Sequence, residues 1–248
     1  MSPTIPPEIL DLITDHLHDE PTTLKACCIV SKSWVPRTRR HLFSHLKFNE
    51  FTHSIKYWVK TFPNPVDSPA HYTHILHLSG VPTITTATTT ACAWLHSFRC
   101  VVELRLESLP WGSDRVSLVQ FKGFSPALRS LRLSKLSAPL PEVLDLIYSF
   151  PLLEDLWLDR VVTENDVDQW DPPSTSPRLT GLLYLDKGSN PVARKLSNLP
   201  DGPHFSGISV VHSGRDPGPA VALVLRCVGT LKCLSVRYHS PCLCFLRF

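Results

Sequence analysis

Three histidines stand at equal spacing, His71, His74 and His77, and such a set is a candidate for holding a metal ion through imidazole nitrogen. They fall at the entry to an extended segment, where an offset of three alternates between the faces of a strand, so the rings do not converge and no metal is expected. Glu103 and Glu107 are the nearest approach to a pair of catalytic carboxylates. Arg105 lies between them, which favours neutralised neighbours over a general acid. The eight cysteines, Cys27, Cys28, Cys92, Cys100, Cys227, Cys233, Cys242 and Cys244, contain no paired C-x-x-C and read as reduced, mostly small core residues. No G-x-S-x-G, H-E-x-x-H or P-loop string occurs. These spacings predict no catalytic residue, no cofactor and no small-molecule ligand. What remains for the side chains is recognition of another protein.

The elements that must position them are short. The chain has 248 residues with 23 prolines and only 10 glycines, an excess and a deficit against averages of about 5% and 7%. Prolines therefore punctuate helices and strands throughout. A composition of 43% hydrophobic and 19% charged residues is that of a soluble chain with one large domain or two small ones. The net charge of +3 is too mild to imply a nucleic-acid partner. No membrane partner is expected, because the longest strongly apolar stretch, residues 220–225, falls far short of the roughly 20 residues a spanning helix needs. The N-terminus lacks a basic segment followed by an apolar one, which predicts a cytoplasmic or nuclear protein.

Residues 5–46 read as a compact helical unit. Ile9, Ile13 and Leu17, widened by Leu10 and Leu12, form one amphipathic stripe that closes before Pro21. Thr22 or Thr23 is a candidate cap for a second helix carrying Leu24, Cys27, Cys28 and Val30. Ser31 and Ser33 are candidate caps for a third, with Trp34, Val35 and the run Arg37 to Arg40, read as a solvated face; Leu42, Phe43 and Leu46 return the apolar period. Ile13, Leu17 and Phe43 read as plain core. Three helices in about 40 residues bury too little to stand alone, so a partner or neighbouring domain is implied.

The strings Ile5-Pro6-Pro7-Glu8-Ile9-Leu10, then Val30-Ser31-Lys32-Ser33-Trp34 and Leu42-Phe43, resemble an F-box, over about a sixth of the chain. Ile5 stands where leucine is commoner, and Pro36 falls in the third helix's first turn, where a missing amide is tolerated. The resemblance implies docking onto the Skp-type adaptor of a cullin-based ubiquitin ligase. By position Ile5, Pro6, Ile9, Leu10, Leu24, Val30, Ser31 and Trp34 are similar to that family's adaptor-facing or fold-defining residues.

Phe51, Ile55, Trp58 and Phe62 make a further helical stripe, stopped by Pro63, Pro65 and Pro69. Beyond it a pattern apolar-x-x-apolar-x-apolar recurs. Its second position falls at Leu76, Leu104, Leu131, Leu156, Leu182, Ile208 and Leu234, at intervals of 28, 27, 25, 26, 26 and 26. Its first position is Thr73, Val101, Leu128, Leu153, Leu179, Phe205 and Leu231, with Thr73 the exception at what reads as the edge repeat. This period lies in the range of leucine-rich repeats, each giving a strand and a return. Residues 90–98, 141–150, 192–199 and 220–228 suit helical returns, and residues 171–176 insert a polar loop. The Asn or Cys of the fuller pattern is replaced by Val81, Leu109, Leu136, Val161, Lys187, Ser213 and His239, so no side-chain ladder is expected.

The resulting expectation is an α/β protein: an F-box helical unit over residues 1–49, a linker helix and proline-rich loop over 50–70, a leucine-rich-repeat solenoid over 71–239, and an atypical tail over 240–248. That tail has neither a return helix nor a polar cap, which suggests a truncated or misread terminus and an exposed edge. Alternation places Ile75, His77 and Ser79, then Glu103, Arg105 and Glu107, Ser130, Arg132 and Ser134, and Asp155, Trp157 and Asp159 on the concave face, followed by Gly181, Leu183 and Leu185, then Gly207, Ser209 and Val211, and Cys233, Ser235 and Arg237. Arg105, Arg132, Asp155, Trp157 and Asp159 form the expected target-binding patch, with aromatic and arginine anchors. The implied function is a substrate receptor that joins the adaptor, and through it a cullin, to a target protein. A repeat scaffold with no ubiquitin role is the alternative, and a hydrolase is a distant third.

Overall fold

The computed structural model describes residues 6–49, 54–80, 94–108, 118–164, 170, 177, 179–186, 188–199, 202–212 and 217–238. Among them the chain is α/β, with seven α-helices and one eight-stranded, all-parallel sheet. Three helices come first: α1 (Pro7–His16), α2 (Pro21–Val30) and α3 (Val35–Leu42). Each carries a proline at its first or second position, where a missing amide costs no hydrogen bond. The second helix thus starts at Pro21, ahead of both threonines read as its cap. Thr23 donates to the Glu20 carboxylate at 2.8 Å instead. Trp34 occupies the cap position of α3 and makes no side-chain cap bond.

The strands are β1 (His45–Asn49), β2 (Ile75–Ser79), β3 (Glu103–Glu107), β4 (Ser130–Pro139), β5 (Asp155–Glu164), β6 (Leu182–Leu185), β7 (Gly207–His212) and β8 (Cys233–Tyr238), laid side by side in chain order. The first lies inside the segment read as wholly helical, and Leu46 pairs with Leu76. Thr73 is therefore not at the edge. It is fully buried, and its hydroxyl donates to the Phe43 carbonyl of the preceding turn at 2.9 Å. Helix α4 (Ser54–Thr61) follows β1. Its Trp58 packs on Phe43, Phe48, Phe62 and Phe98 at ring separations of 4.7 to 6.0 Å, joining the helical unit to the sheet. Three returns are α5 (Leu140–Tyr148), α6 (Asn190–Ser197) and α7 (Gly218–Arg226), again with prolines in their first turns. Trp94–Ser97 forms only a 3-10 turn.

One face of the sheet is the core. Leu76 and Leu78, Leu104 and Leu106, Leu131 and Leu133, and Leu156 and Leu158 are buried, and the first-position residues Val101, Leu128, Leu153, Leu179 and Phe205 close it from below. In the fifth repeat the register differs from the sequence expectation by one residue. Leu156 pairs with Leu183, and Leu183 with Ile208. Leu183 and Leu185 point inward, while Leu182 is 62% exposed. The extra residue is absorbed before the strand, where Leu179 adopts a left-handed φ of +41°. Gly181 then passes so close to β5 that a Cβ there would strike the Asp155 carboxylate.

Left-handed backbone recurs at Gly80, Ser108, Lys135 and Arg160, with φ between +51° and +55°. Each lies four residues beyond Leu76, Leu104, Leu131 or Leu156, so the turns stack. The Gly80 and Ser108 amides donate to the Glu107 and Ser134 carbonyls of the next strands at 3.0 Å. In β4 the turn places Ser134 and Lys135 outward in succession and sends Leu136 into the core; Val161 does the same in β5. Apolar Leu136 and Val161 thus stand where the fuller repeat pattern has Asn or Cys, as expected, and main-chain bonds tie the turns.

Of the five described cysteines Cys27 and Cys227 are buried, Cys28 is half-buried, and Cys100 and Cys233 are exposed, fewer core positions than expected. Burial pushes the Cys227 thiol up, and it donates to the Pro203 carbonyl at 3.4 Å. Ile5, Phe51, Cys92, Cys242, Cys244, residues 90–93 of the first expected return, the insertion 171–176 and the tail 240–248 lie outside the described residues, as do Val81, Leu109, Lys187, Ser213 and His239.

Candidate functional site

Two surfaces carry the residues singled out by sequence. On the helical unit Leu24 is fully buried and defines the fold, as Cys27 does beside it. Leu10, Ser31 and Trp34 are half-buried, whereas Pro6, Ile9 and Val30 are exposed, Val30 by 74%. Ile13 is exposed and not core, Leu17 is only half-buried, and Phe43 packs against the sheet core as expected. Leu12 and Ile29 are further exposed apolar residues, Ile29 by 87%. Their periodicity is that of any amphipathic helix, so only the packing shows which side is left open.

Arg37 does not belong to a solvated face. Its Nε donates to Asp15 Oδ1 at 2.6 Å and a terminal nitrogen donates to the other oxygen. His41 Nε2 meets Oδ1 at 2.7 Å. These bonds, Arg37 first and then His41, hold the Asp15 carboxyl well below the usual carboxylate range. They clamp α1 to α3, while Arg39 and Arg40 stay exposed.

On the open face of the sheet the strand register sets side chains in rows. The central row runs Lys47, His77, Arg105, Arg132, Trp157, Tyr184, Ser209, Ser235 across β1 to β8. Two glutamates of the flanking rows pair with its basic half. Glu103 Oε1 accepts from Arg105 Nε at 2.8 Å and from Arg132 Nε at 2.6 Å. Glu107 takes Lys135 Nζ at 2.9 Å and His77 Nε2 at 3.2 Å, and the lysine bond leads in holding its carboxyl low. Burial pushes the His77 imidazole below its ordinary value, Lys47 adds to that, and Glu107 opposes it. His71 Nδ1 bonds the Ser68 carbonyl at 2.9 Å, apart from His77. Among the described residues no group of three or more His, Cys, Asp or Glu side chains is placed to hold a metal ion.

The expected target-binding residues come together on β3, β4 and β5, but their charged groups are engaged by neighbours outside the set, both arginines by Glu103. Asp159 Oδ1 accepts from Arg160 Nε at 3.2 Å, and Asp155 Oδ1 accepts the Leu182 amide at 2.6 Å. Trp157, the expected anchor, is 36% exposed and covered on both ring faces. The Arg132 guanidinium carbon sits 5.1 Å from its centroid. Tyr184 stacks on it with centroids 3.7 Å apart and planes inclined by 10°. Because Arg132 and Tyr184 stand on strands either side of β5, they cover opposite faces of the indole. Tyr184 escaped the sequence reading because the slipped register turned it inward. The signal that finds it is Gly181, a residue without a side chain at the strand entry, which marks close backbone approach.

Beyond Tyr184 the row drops from large rings to small side chains. Gly207, Ser209, Cys233 and Ser235 floor a cleft of about 480 Å³, walled by Trp157, Tyr184 and Leu182, with Arg237 at its far side. A Cβ at Gly207 would come within 2.5 Å of Leu182 Cδ2, so glycine there lets Leu182 lean over the floor. Burial pushes the Tyr184 hydroxyl up, with Asp186 and Asp159 adding to it and Arg237 opposing. The cleft offers an aromatic wall, hydroxyl groups and a cation, a binding chemistry with no nucleophile and base in contact among its lining residues.

No family model matches the chain, and no curated protein matches it. Among the described residues no helix is long and apolar enough to cross a membrane.

Proposed function

We propose that the chain is the substrate-receptor subunit of a cullin-based ubiquitin ligase, its F-box-like helices docking on a Skp-type adaptor and its leucine-rich-repeat-like sheet presenting a target protein. The observation that carries this reading is the exposed apolar surface of the helical unit. Ile9, Leu12 and Ile13 on α1, and Ile29 and Val30 at the end of α2, are left in solvent while Leu24 and Cys27 are buried. Exposed apolar residues that share one helix face, as Ile9, Leu12 and Ile13 do on α1, mark protein interaction sites. A receptor of this type supplies proximity, holding target lysines near a charged conjugating enzyme, and no bond chemistry of its own.

Co-purification of the full chain with the adaptor tests the reading. Ile9→Lys with Val30→Lys is the informative double variant, because both positions are exposed and a lysine there is expected to leave the fold intact; Leu10 is half-buried and would confound the result. The complex is expected with the wild type and lost with the variant. A second reading, in which the helices are only a stabilising cap on a binding scaffold, draws on Phe43 and Leu46, which pack against the sheet core directly after α3. It requires that the wild-type chain capture no adaptor.

A further inference from the structure

The Arg132, Trp157, Tyr184 stack ends abruptly. Arg132 caps one end, each member lies one strand further along, and the next position in the row is Ser209. Strands are about 4.8 Å apart, close to the 3.7 Å between the Trp157 and Tyr184 centroids. A planar group standing over Ser209 would therefore continue the stack. Among the described residues no ring covers the second face of Tyr184, and the floor of Gly207, Ser209 and Ser235 leaves the height of a side chain vacant.

The charges of the lining differ in their commitments. Arg132 is paired with Glu103, and Asp155 accepts the Leu182 amide. Arg237 is exposed and has no ion-pair partner among the described residues. Asp155 keeps its charge but is half-buried and turned to the Leu182 amide, so the exposed charge left to complement is that of Arg237.

We infer that this cleft takes an aromatic side chain of the target protein, stacked on Tyr184 above Ser209, from a peptide segment with a carboxylate one or two residues away that pairs with Arg237. This rests on the reading of the sheet face as the target-binding surface and names the chemistry of the segment it selects. Offset aromatic stacking and a guanidinium–carboxylate bond are both stronger in a partly dry cleft than in water.

Panning a phage library of random heptapeptides against the full chain tests it. Enrichment of Phe, Tyr or Trp with Asp or Glu within two positions is expected. Ser209→Trp, which fills the slot from the open face, should reduce recovery of the enriched peptides about tenfold, the ratio a contact of about 1.4 kcal/mol represents. Arg237→Glu, at an exposed position, should reverse the preference from acidic to basic neighbours. No sequence preference, enrichment that survives Ser209→Trp, an acidic preference that survives Arg237→Glu, or sedimentation showing a second copy on this face would each overturn the inference. Adaptor capture by Ser209→Trp should equal that of the wild type. Failed panning with intact capture sinks the cleft alone, and failed capture with successful panning sinks the ligase reading alone.

Discussion

Alanine at Leu183 and, separately, at Leu182 distinguishes two registers of β6 that hydrophobicity alone leaves equivalent. Leu183 is 1% exposed and lies between Leu156 and Ile208. Its truncation removes a fully buried side chain and leaves a cavity, at a cost of about 2 to 5 kcal/mol. Leu182 is 62% exposed, so only about two-fifths of the roughly 1.5 to 3 kcal/mol of a fully buried leucine is at stake, about 0.5 to 1 kcal/mol. For a chain of this length 1 kcal/mol moves the melting midpoint by roughly 2 to 4 °C. A mid-range loss of about 3 kcal/mol in Leu183→Ala therefore lowers it by roughly 6 to 12 °C, and Leu182→Ala by roughly 1 to 4 °C. Thermal melts followed by circular dichroism read the difference directly. A Leu182→Ala midpoint as low as that of Leu183→Ala would refute the register, and with it the position of Tyr184 beside Trp157.

Asp15→Asn should destabilise the helical unit by about 1 kcal/mol at neutral pH, a figure discounted because the Asp15 side chain is 37% exposed. The folded-state acidity of Asp15 lies below its unfolded value, so its contribution is complete above about pH 4 and disappears as the pH falls further. Urea midpoints of the wild type should decline more steeply below that pH than those of the variant, and parallel declines would count against the clamp. Thr73→Val keeps the shape of a buried side chain while removing the bond to the Phe43 carbonyl. A loss of about 1 kcal/mol is expected, and an unchanged melting midpoint would show that the hydroxyl does not tie β2 to the preceding turn.

What could be read from the sequence followed from local periodicity. A strand with one buried face must alternate, so Leu76 and Leu78, Leu104 and Leu106, Leu131 and Leu133, and Leu156 and Leu158 were identifiable as inward pairs without reference to their neighbours. Pro7 and Pro141 marked the first turns of α1 and α5 for a similarly local reason, the loss of one amide, whereas α6 and α7 begin two residues ahead of the segments read as helical and take Pro191 and Pro219 into their first turns. The rest depends on residues far apart in the chain. Leu179-x-x-Leu182-x-Tyr184 and Leu183-x-Leu185 are equally apolar readings of one segment, and pairing with Leu156 and Ile208 selects the second. The strand His45–Asn49 carries the same pattern, Phe43-x-x-Leu46-x-Phe48, but its apolar residues also continue the helical period ahead of them, and pairing with β2 decides between the two. Left-handed turns at Ser108, Lys135 and Arg160 leave no mark in residue type.

The binding face divides along the same line. The sequence by itself determined the open-face residues of β2 to β5, since outward positions are those between the inward leucines. The tertiary structure alone decided which of them remain available. Glu103 neutralises Arg132 from an adjacent strand, Arg132 and Tyr184 cover the two faces of Trp157, and the vacancy lies one strand beyond, over Ser209. Charge pairing and stacking act over a few ångströms between residues about 25 to 30 positions apart, a separation that strand register closes and that no local pattern encodes.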